Sequence, residues 1–525
     1  MSGVPTWLPA LHHPQAYPHA TGRIELIETH LSWVFLTGEW AYKLKKPIAL
    51  GFVDFSTLEK REAACREELR LNRRTIPGIY ADVVTLIEPG AGPRFGNDGA
   101  VLEYAVRMRQ FAQADVLLAI ADSGRLTSTH IEHLAKSIAG MHAAADAAPG
   151  ESPFGRPTTI RRYTEGCLAP IAASIADDQA HKLEVISRWV KEEATRLEPH
   201  FNKRRSAGFV RECHGDLHLG NIVLVDGIPQ PFDCLEFNSE LRFIDIISDL
   251  AFLVMDLIDH GAPEFAWQVL NGWLDQTGDF TGLAALRYYE VYRALVRAKV
   301  AAIRLTQSGL TNDELAKWRS ALSSYLDLAI RLWERGSGGL ILMYGLSGSG
   351  KSVVGRQLAC QIGAVCLRSD RERKRCRESD AVPPAVSYSE SAIADTYGRL
   401  LQTAETLVHQ GQTVLIDATF LKQSHRRQFQ ELADRAAIGW CIVSCEAPQS
   451  VLEERVQLRQ SQGQDPSDAT LEVLRSQFSL ADPLTELELA NSIRVDTSAN
   501  VDGQTLKQSV LSSLDTRTCP KSANP

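Results

Sequence analysis

The sequence predicts two folds in series: an α+β domain of two lobes, then an α/β domain on a doubly wound parallel sheet. Three observations carry this. At 525 residues the chain exceeds what one hydrophobic core organises, since cores stop growing at about 250 to 300 residues. Two short patterns of unrelated design are present, HGDLHLGN from His214 to Asn221 and GLSGSGKS from Gly345 to Ser352. Around the first, strand patterns give way to helical ones; around the second, strands and helices alternate.

The first domain is expected over residues 1–335, with a small lobe at about 21–110 and a helical lobe at about 111–335. RIELIETH, SWVFLTG and EWAYKLKKPIALGFVDF read as strands, with a turn at Thr37 and Gly38. Thr57 caps a helix running to Arg74, and ADVVTLIEP and AVLEYAVRM return to strand. Helices are expected around 131–148, 180–205, 287–307 and 312–335, separated by the strand and loop elements FVRECHGDLHLGNIVLVDG and IPQPFDCLEF. GSGG at 336–339 reads as a linker. The second domain is expected over 340–515, with strands LILMYGL, VCLRSD, TVLIDAT, WCIVSCEA and SIRVDTS separated by helices, which is the order of a parallel sheet. From Thr516 to 525 hydrophobic patterning stops, and disorder is expected.

Composition narrows the function classes. A 44% hydrophobic, 23% charged chain is globular in type, and a net charge of -8 argues against a nonspecific nucleic-acid binder. No stretch approaches the roughly 18 apolar residues of a membrane helix, because Asp245, Asp249 and Asp256 interrupt the richest one. The N-terminus has no cationic start followed by an apolar run, so no signal or anchor is expected. Ten scattered cysteines without CxxC pairs suit reduced thiols in a cytoplasm.

HGDLHLGN matches the kinase catalytic-loop pattern HxDxxxxN. Asp216 stands where a carboxylate accepts the proton of an attacking hydroxyl, and Asn221 where an amide holds magnesium. Asp233 closes PQPFD and is the expected second metal ligand. In WAYKLKK, Lys43 is the candidate for the nucleotide phosphates; Lys45 shares its face by period 2 and could substitute. The helix that follows offers Glu68, Glu67 and Glu62 as partners for Lys43, and Glu68 is preferred because it heads ELRLN. Seven acids between Asp233 and Asp259, against Arg242 alone, could attract a cationic acceptor such as an aminosugar; they equally suit metal binding, helix bracing and solvated faces.

GLSGSGKS is a Walker A loop in the required context, after an apolar strand and before a helix. Gly345, Leu346, Ser347, Gly348, Ser349 and Gly350 would turn N–H groups onto phosphate, Lys351 would reach the β and γ phosphates, and Ser352 would ligate magnesium. Asp417 ends the apolar strand TVLID and suits a magnesium or water contact. The two patterns belong to different folds, so they cannot share one nucleotide.

These residues carry a resemblance. THLSWVFLTGEWAYKLKKPIALGFVDFSTLEKR, HGDLHLGNIVL and FDCLEFNSELRFIDIISDLAF resemble the aminoglycoside phosphotransferase family, and almost the whole chain is similar to bacterial bifunctional aminoglycoside phosphotransferase/ATP-binding proteins, in which such a kinase domain is fused to a P-loop kinase-like AAA domain. The resemblance implies a bilobal protein-kinase-like domain followed by a P-loop domain, with ATP and Mg2+ as cofactors and small-molecule hydroxyls as acceptors. Departures from protein kinases, with no GxGxxG near Gly38, no DFG at Asp233 and no APE, point away from a protein acceptor. Similarity of the second domain to polynucleotide and gluconate kinases implies Asp370 as base with Arg373 steadying it, and Arg455 and Arg459 as lid arginines on one helical face. Two other readings remain open: a regulator in which one domain binds nucleotide without turnover, and a nucleic-acid-end kinase, prompted by the basic run RERKRCR after Asp370.

Overall fold

The computed structural model describes residues 5–50, 53–90, 92–307, 309–334, 338–380, 390–462 and 470–515. The expected tail, and residues 336 and 337 of the expected linker, lie outside them. The chain divides into two compact units, Met1–His260 with Ala285–Ala329, and Gly261–Ala284 with Ile330–Pro525.

The first unit opens with an antiparallel sheet in the order Glu25–Glu28, Ser32–Leu36, Trp40–Lys45, Ala100–Arg109, Tyr80–Glu88, Arg94–Phe95. Register places Lys43 between Val34 and Val106, on a central strand. The lobe begins earlier than residue 21. Trp7, Leu8, Leu11 and Tyr17, on two short 3-10 turns, pack against Trp33, Phe35, Tyr42 and Phe95. Prolines and histidines interrupt that segment, so it carries no period to read.

Helix Leu58–Asn72 starts where Thr57 accepts the Lys60 N–H. Its buried stripe is Arg61, Ala64, Cys65, Glu68, Leu71 and Asn72, the spacing of one helical face, and it carries a carboxylate that is 0% exposed. The second lobe is helical, with Ser128–Ala144, Ala180–Ser206, Leu283–Leu305 and Asn312–Trp333 near the expected positions. The His214 loop lies between strand Val210–Glu212 and the hairpin Ile222–Val225 with Ile228–Pro231. Helix Ile246–Asp259, capped by Asp245, is buried along most of its length. Its apolar character belongs to a protein core, and among the described residues no helix is long and apolar enough to cross a membrane. A small sheeted lobe with one helix, followed by a helical lobe holding the loop, is the bilobal protein-kinase-like plan.

The second unit is a five-stranded parallel sheet in the order Val365–Arg368, Thr413–Asp417, Gly339–Tyr344, Trp440–Glu446, Ser492–Asp496. The first strand in sequence is central and later ones are added on both sides, which is double winding. Gly339, placed in the expected linker, is already the first residue of that strand. Ile341, Met343, Leu358, Leu415, Val443 and Val510 form the core between sheet and helices.

Residues 261–284, expected within the first domain, belong to this unit instead. Pro263–Thr277 lies along edge strand Val365–Arg368, where the Asn271 side chain accepts the Cys366 N–H (2.9 Å) and donates to the Ala364 carbonyl (3.0 Å). One amide thus covers two of the groups that an edge strand would leave open. Arg368 pairs with Asp275 at 2.8 Å, and Arg375 donates to the Leu274 and Asp275 carbonyls. The boundary expected at 336–339 rests on GSGG and the change from helix to strand there, and an amphipathic helix at 263–277 carries a buried face without showing which sheet buries it.

Candidate active sites

In the first unit the lysine strand, the Leu58–Asn72 helix and the segment after Pro231 converge on a buried charge cluster. Lys43 Nζ lies 2.9 Å from Glu68 Oε1 and also donates to Asp233; Lys45 donates to the other oxygen of Glu68 and to Glu236. The alternative partners are engaged elsewhere, Glu67 with Arg70 and Arg242, and Glu62 with Arg66. Burial pushes Lys43 down, but Asp233 and Glu68 outweigh it and hold the ammonium well above its ordinary value. Burial raises Glu236, with Lys45 opposing. Asp233 has φ +62, a left-handed conformation uncommon for a non-glycine residue, and its N–H donates to the Tyr80 hydroxyl (3.2 Å).

The His214 loop is held by backbone contacts to buried carboxylates. Asp249 accepts the N–H groups of His214 (3.0 Å) and Gly215 (2.9 Å) and meets His142 Nε2 at 3.1 Å; Asp256 accepts the Leu219 N–H at 2.9 Å. Arg293 donates to the Gly215 carbonyl, and His214 Nε2 lies 2.9 Å from the Phe232 carbonyl, tying this loop to the segment that ends at Asp233. Asn221 Nδ2 donates to the Asp216 carboxylate at 3.0 Å, and His218 Nε2 lies 3.5 Å from the same oxygen. Burial pushes Asp216 up, and the imidazoles of His218 and His214 with the Arg297 guanidinium outweigh it, so the carboxyl stays below the usual carboxylate range. Its side chain remains 41% exposed, open to a hydroxyl from solvent.

The acidic run after Asp233 is largely occupied. Asp233 and Glu236 meet the lysines, Glu240 meets Arg162 and Tyr163, Asp245 pairs with Arg204, and Asp249 and Asp256 hold the loop. Most of these acids thus already have partners within the fold. His142, Asp249, Arg293 and Tyr80 each act through a fold contact distant in sequence, and of these the sequence offers only Asp249, as one acid of the run after Asp233.

In the second unit Gly345, Gly348 and Gly350 have φ of +143, +83 and +81. A Cβ at Gly345 would lie 2.5 Å from the Cys445 carbonyl oxygen and one at Gly348 2.8 Å from that of Leu452, so the loop's path requires glycine there. Helix Lys351–Ile362 begins without a side-chain cap, which leaves its first N–H groups for an anion. Lys351 Nζ donates to the Leu346 carbonyl at 2.7 Å; burial lowers its ionisation and Asp417 opposes this. Burial raises Asp417, against the Ser352 hydroxyl and Arg368. Asp370 is paired with Arg373, and its charge reaches both Lys351 and Asp417. Glycine cradle, open helix start, buried lysine and the Ser352–Asp417 pair fit a nucleotide phosphate and a divalent cation.

The two lid candidates part company. Arg459 lies within electrostatic range of Lys351, but Arg455 grips the loop, donating to the carbonyls of Gly348 (3.3 Å) and Thr497 (2.7 Å). Residues one turn apart share a helical face, yet long side chains on it can reach different targets. Ser347 N–H donates to Gln477 Oε1 at 2.8 Å, a contact that no motif foretold. Within the basic run after Asp370, Arg371, Arg373 and Arg375 have acidic partners in Asp275, Asp370 and Glu372.

Residues 340–484 match the family model described as AAA domain. The uncharacterized protein Rv2004c of Mycobacterium tuberculosis is 31% identical over 460 residues, covering 86% of this chain and 88% of its own length; Mb2027c of Mycobacterium bovis matches equally. The chain belongs to their family. An alignment of that length exceeds either unit, so the match to these relatives spans both units. Among solved structures, an amicoumacin kinase in complex with AMP-PNP and Ca2+ is 16% identical and covers 61% of this chain and 91% of its own (TM-score 0.39). A gluconokinase from Sinorhizobium meliloti is 22% identical over 34% of this chain and 93% of its own (TM-score 0.26).

Proposed function

We propose that this protein is an ATP- and Mg2+-dependent phosphotransferase with two nucleotide sites, each passing the γ-phosphoryl group to a hydroxyl of a small molecule. The observation that carries it is the first unit's pairing of a solvent-open Asp216, bonded at 3.0 Å to Asn221, with the Lys43–Glu68 ion pair and Asp233. Lys43 would hold phosphate oxygens, Asn221 and Asp233 the cation, and Asp216 would orient the acceptor hydroxyl and take its proton. A carboxyl kept ionised is ready to accept that proton. Bound nucleotide supplies the phosphoryl group, and the cation offsets charge on its oxygens. In the second unit Lys351, Ser352, Asp417 and Arg459 would hold phosphate and cation, Asp370 would act as base with Arg373 beside it, and Arg455 would hold the loop. The occupied acidic run favours no aminosugar over other acceptors.

Phosphoryl gain in a metabolite pool incubated with the full chain, followed by mass, tests the reading. Asp216→Asn is expected to remove one set of products and Asp370→Asn another. Loss of neither set, with the parent active, defeats the assignment. One observation favours a binding role without turnover for the second unit: the Ser347 N–H of the loop is closed onto Gln477 Oε1. In that case Asp370→Asn removes nothing, while Lys351→Ala still lowers nucleotide binding.

A further inference from the structure

Lys43 has a task in the proposed chemistry, whereas Lys45 has none, although it is the more deeply buried of the two, at 1% exposed against 9%. A lysine sealed to that degree is rare unless paired. Its ammonium lies between Glu68 and Glu236 and 5.6 Å from the centre of the Phe55 ring, and burial leaves it no route to a phosphate. Glu68 therefore serves two cations, one through each oxygen. Lys43 in turn is shared between Glu68 and Asp233.

We propose that Lys45 is a positioning residue of the first site, a fixed counter-charge that keeps Glu68 ionised and in place while Lys43 is drawn toward phosphate. The inference rests on the reading of Lys43 as the phosphate-facing lysine. Glu68 is 0% exposed, and a buried carboxylate stripped of its partner is strongly disfavoured. Were Lys43 its sole partner, every movement of Lys43 toward a nucleotide would begin to leave that charge uncompensated, and Glu68 would compete with phosphate for the lysine. Lys45 removes the competition by carrying part of the charge permanently. Glu236 holds Lys45 from the other side, so Lys45 cannot follow Lys43 outward. The strand's period of two, which makes Lys45 look like a substitute for Lys43, is what lets both reach one carboxylate.

The test is a nucleotide titration on the full chain carrying Lys351→Ala, which silences the second loop so that ATP binding reports the first site. Lys45→Met is expected to weaken ATP binding about tenfold, equivalent to about 1.4 kcal/mol. Glu68→Gln with Lys45→Met is expected to bind within a few fold of Glu68→Gln alone, because a neutral amide presents no charge to balance. A purely packing role predicts the opposite, the full Lys45→Met loss persisting beside Glu68→Gln, and that result, or no loss at all, overturns the proposal. Should Lys45→Met fail to fold, Glu236→Gln decides: it removes the anchor that keeps Lys45 in place and is expected to weaken ATP binding, an effect that should vanish beside Glu68→Gln, and unchanged or tighter binding overturns the idea. Unchanged binding by Lys43→Met defeats the assignment of Lys43, and the proposal with it, and is distinguishable from failure of Lys45 alone.

Discussion

Replacing Asp249 by asparagine is expected to loosen the loop that presents Asp216. The carboxylate is 0% exposed and serves the N–H groups of His214 and Gly215 as well as His142. Asparagine keeps one acceptor oxygen and turns an NH2 group toward a donor, so one N–H loses its partner and the remaining bond loses its charge. Bonds to a charged acceptor contribute about 1.5–3 kcal/mol, and an unsatisfied buried donor costs about 1–3 kcal/mol. Together these give a loss of about 3–5 kcal/mol, in the range measured when one partner of a buried charged contact is removed. Amide hydrogen exchange of peptides spanning 210–225 reads the effect directly. At about 1.4 kcal/mol per tenfold, exchange at His214 and Gly215 should quicken by about a hundredfold or more, provided it proceeds through opening of this unit. Phosphoryl transfer by the first site should fall with it. Exchange within threefold of the parent in a folded variant would refute the view that Asp249 holds the loop.

Four further outcomes are expected. Gly345→Ala places a Cβ 2.5 Å from a carbonyl oxygen at φ +143, so nucleotide binding by the second unit should be lost, as read by titration in a Lys43→Met background, which leaves the second site to report alone. Gln477→Ala removes the acceptor on the Ser347 N–H; if that oxygen occupies a place which phosphate would take, ATP binding tightens several fold, about 1 kcal/mol, and weaker binding would instead make Gln477 part of the closed complex. Arg426→Leu leaves Glu488 buried without its 2.8 Å partner and four backbone carbonyls unserved, which should destabilise the second unit by about 3–5 kcal/mol in urea unfolding. Burial raises Asp249, but His142 and its other partners hold its carboxyl below 3.8, so its contribution to stability is present above that value and is lost as pH falls through the lower folded one. The parent should therefore show a steeper acid loss below about pH 4 than Asp249→Asn, followed by denaturant midpoints.

Much of both sites was legible because the relevant physics is local. HGDLHLGN sets Asp216 and Asn221 five residues apart on one turn, and GLSGSGKS needs its glycines for the loop's own path. That Lys43 meets a glutamate of the next helix could be read from element order, whereas the choice of Glu68 over Glu67 and Glu62 is made by the buried stripe of the folded helix. The second role of Lys45 could not, because strand period says which face a side chain takes and not how many cations one carboxylate accepts. Arg455 failed for a similar reason: a helical face locates an arginine, and the Gly348 carbonyl that it grips is more than 100 residues away in sequence. Asn271 and Asp275 were invisible as parts of the second unit, since a polar residue on an amphipathic helix looks alike whether it meets water or a strand edge.

The Asn271 contact also bears on how this chain is made. The helix that completes the second sheet leaves the ribosome 95 residues ahead of the Cys366 backbone it will cover. At roughly 5–20 residues per second it waits on the order of 5 to 20 seconds with its apolar face open, a load on chaperones that a simple end-to-end gene fusion would not impose. For the same reason a gene cut at codon 336 yields a P-loop fragment with a bare strand edge, prone to pair with copies of itself, whereas supplying residues 261–284 in trans should restore its solubility.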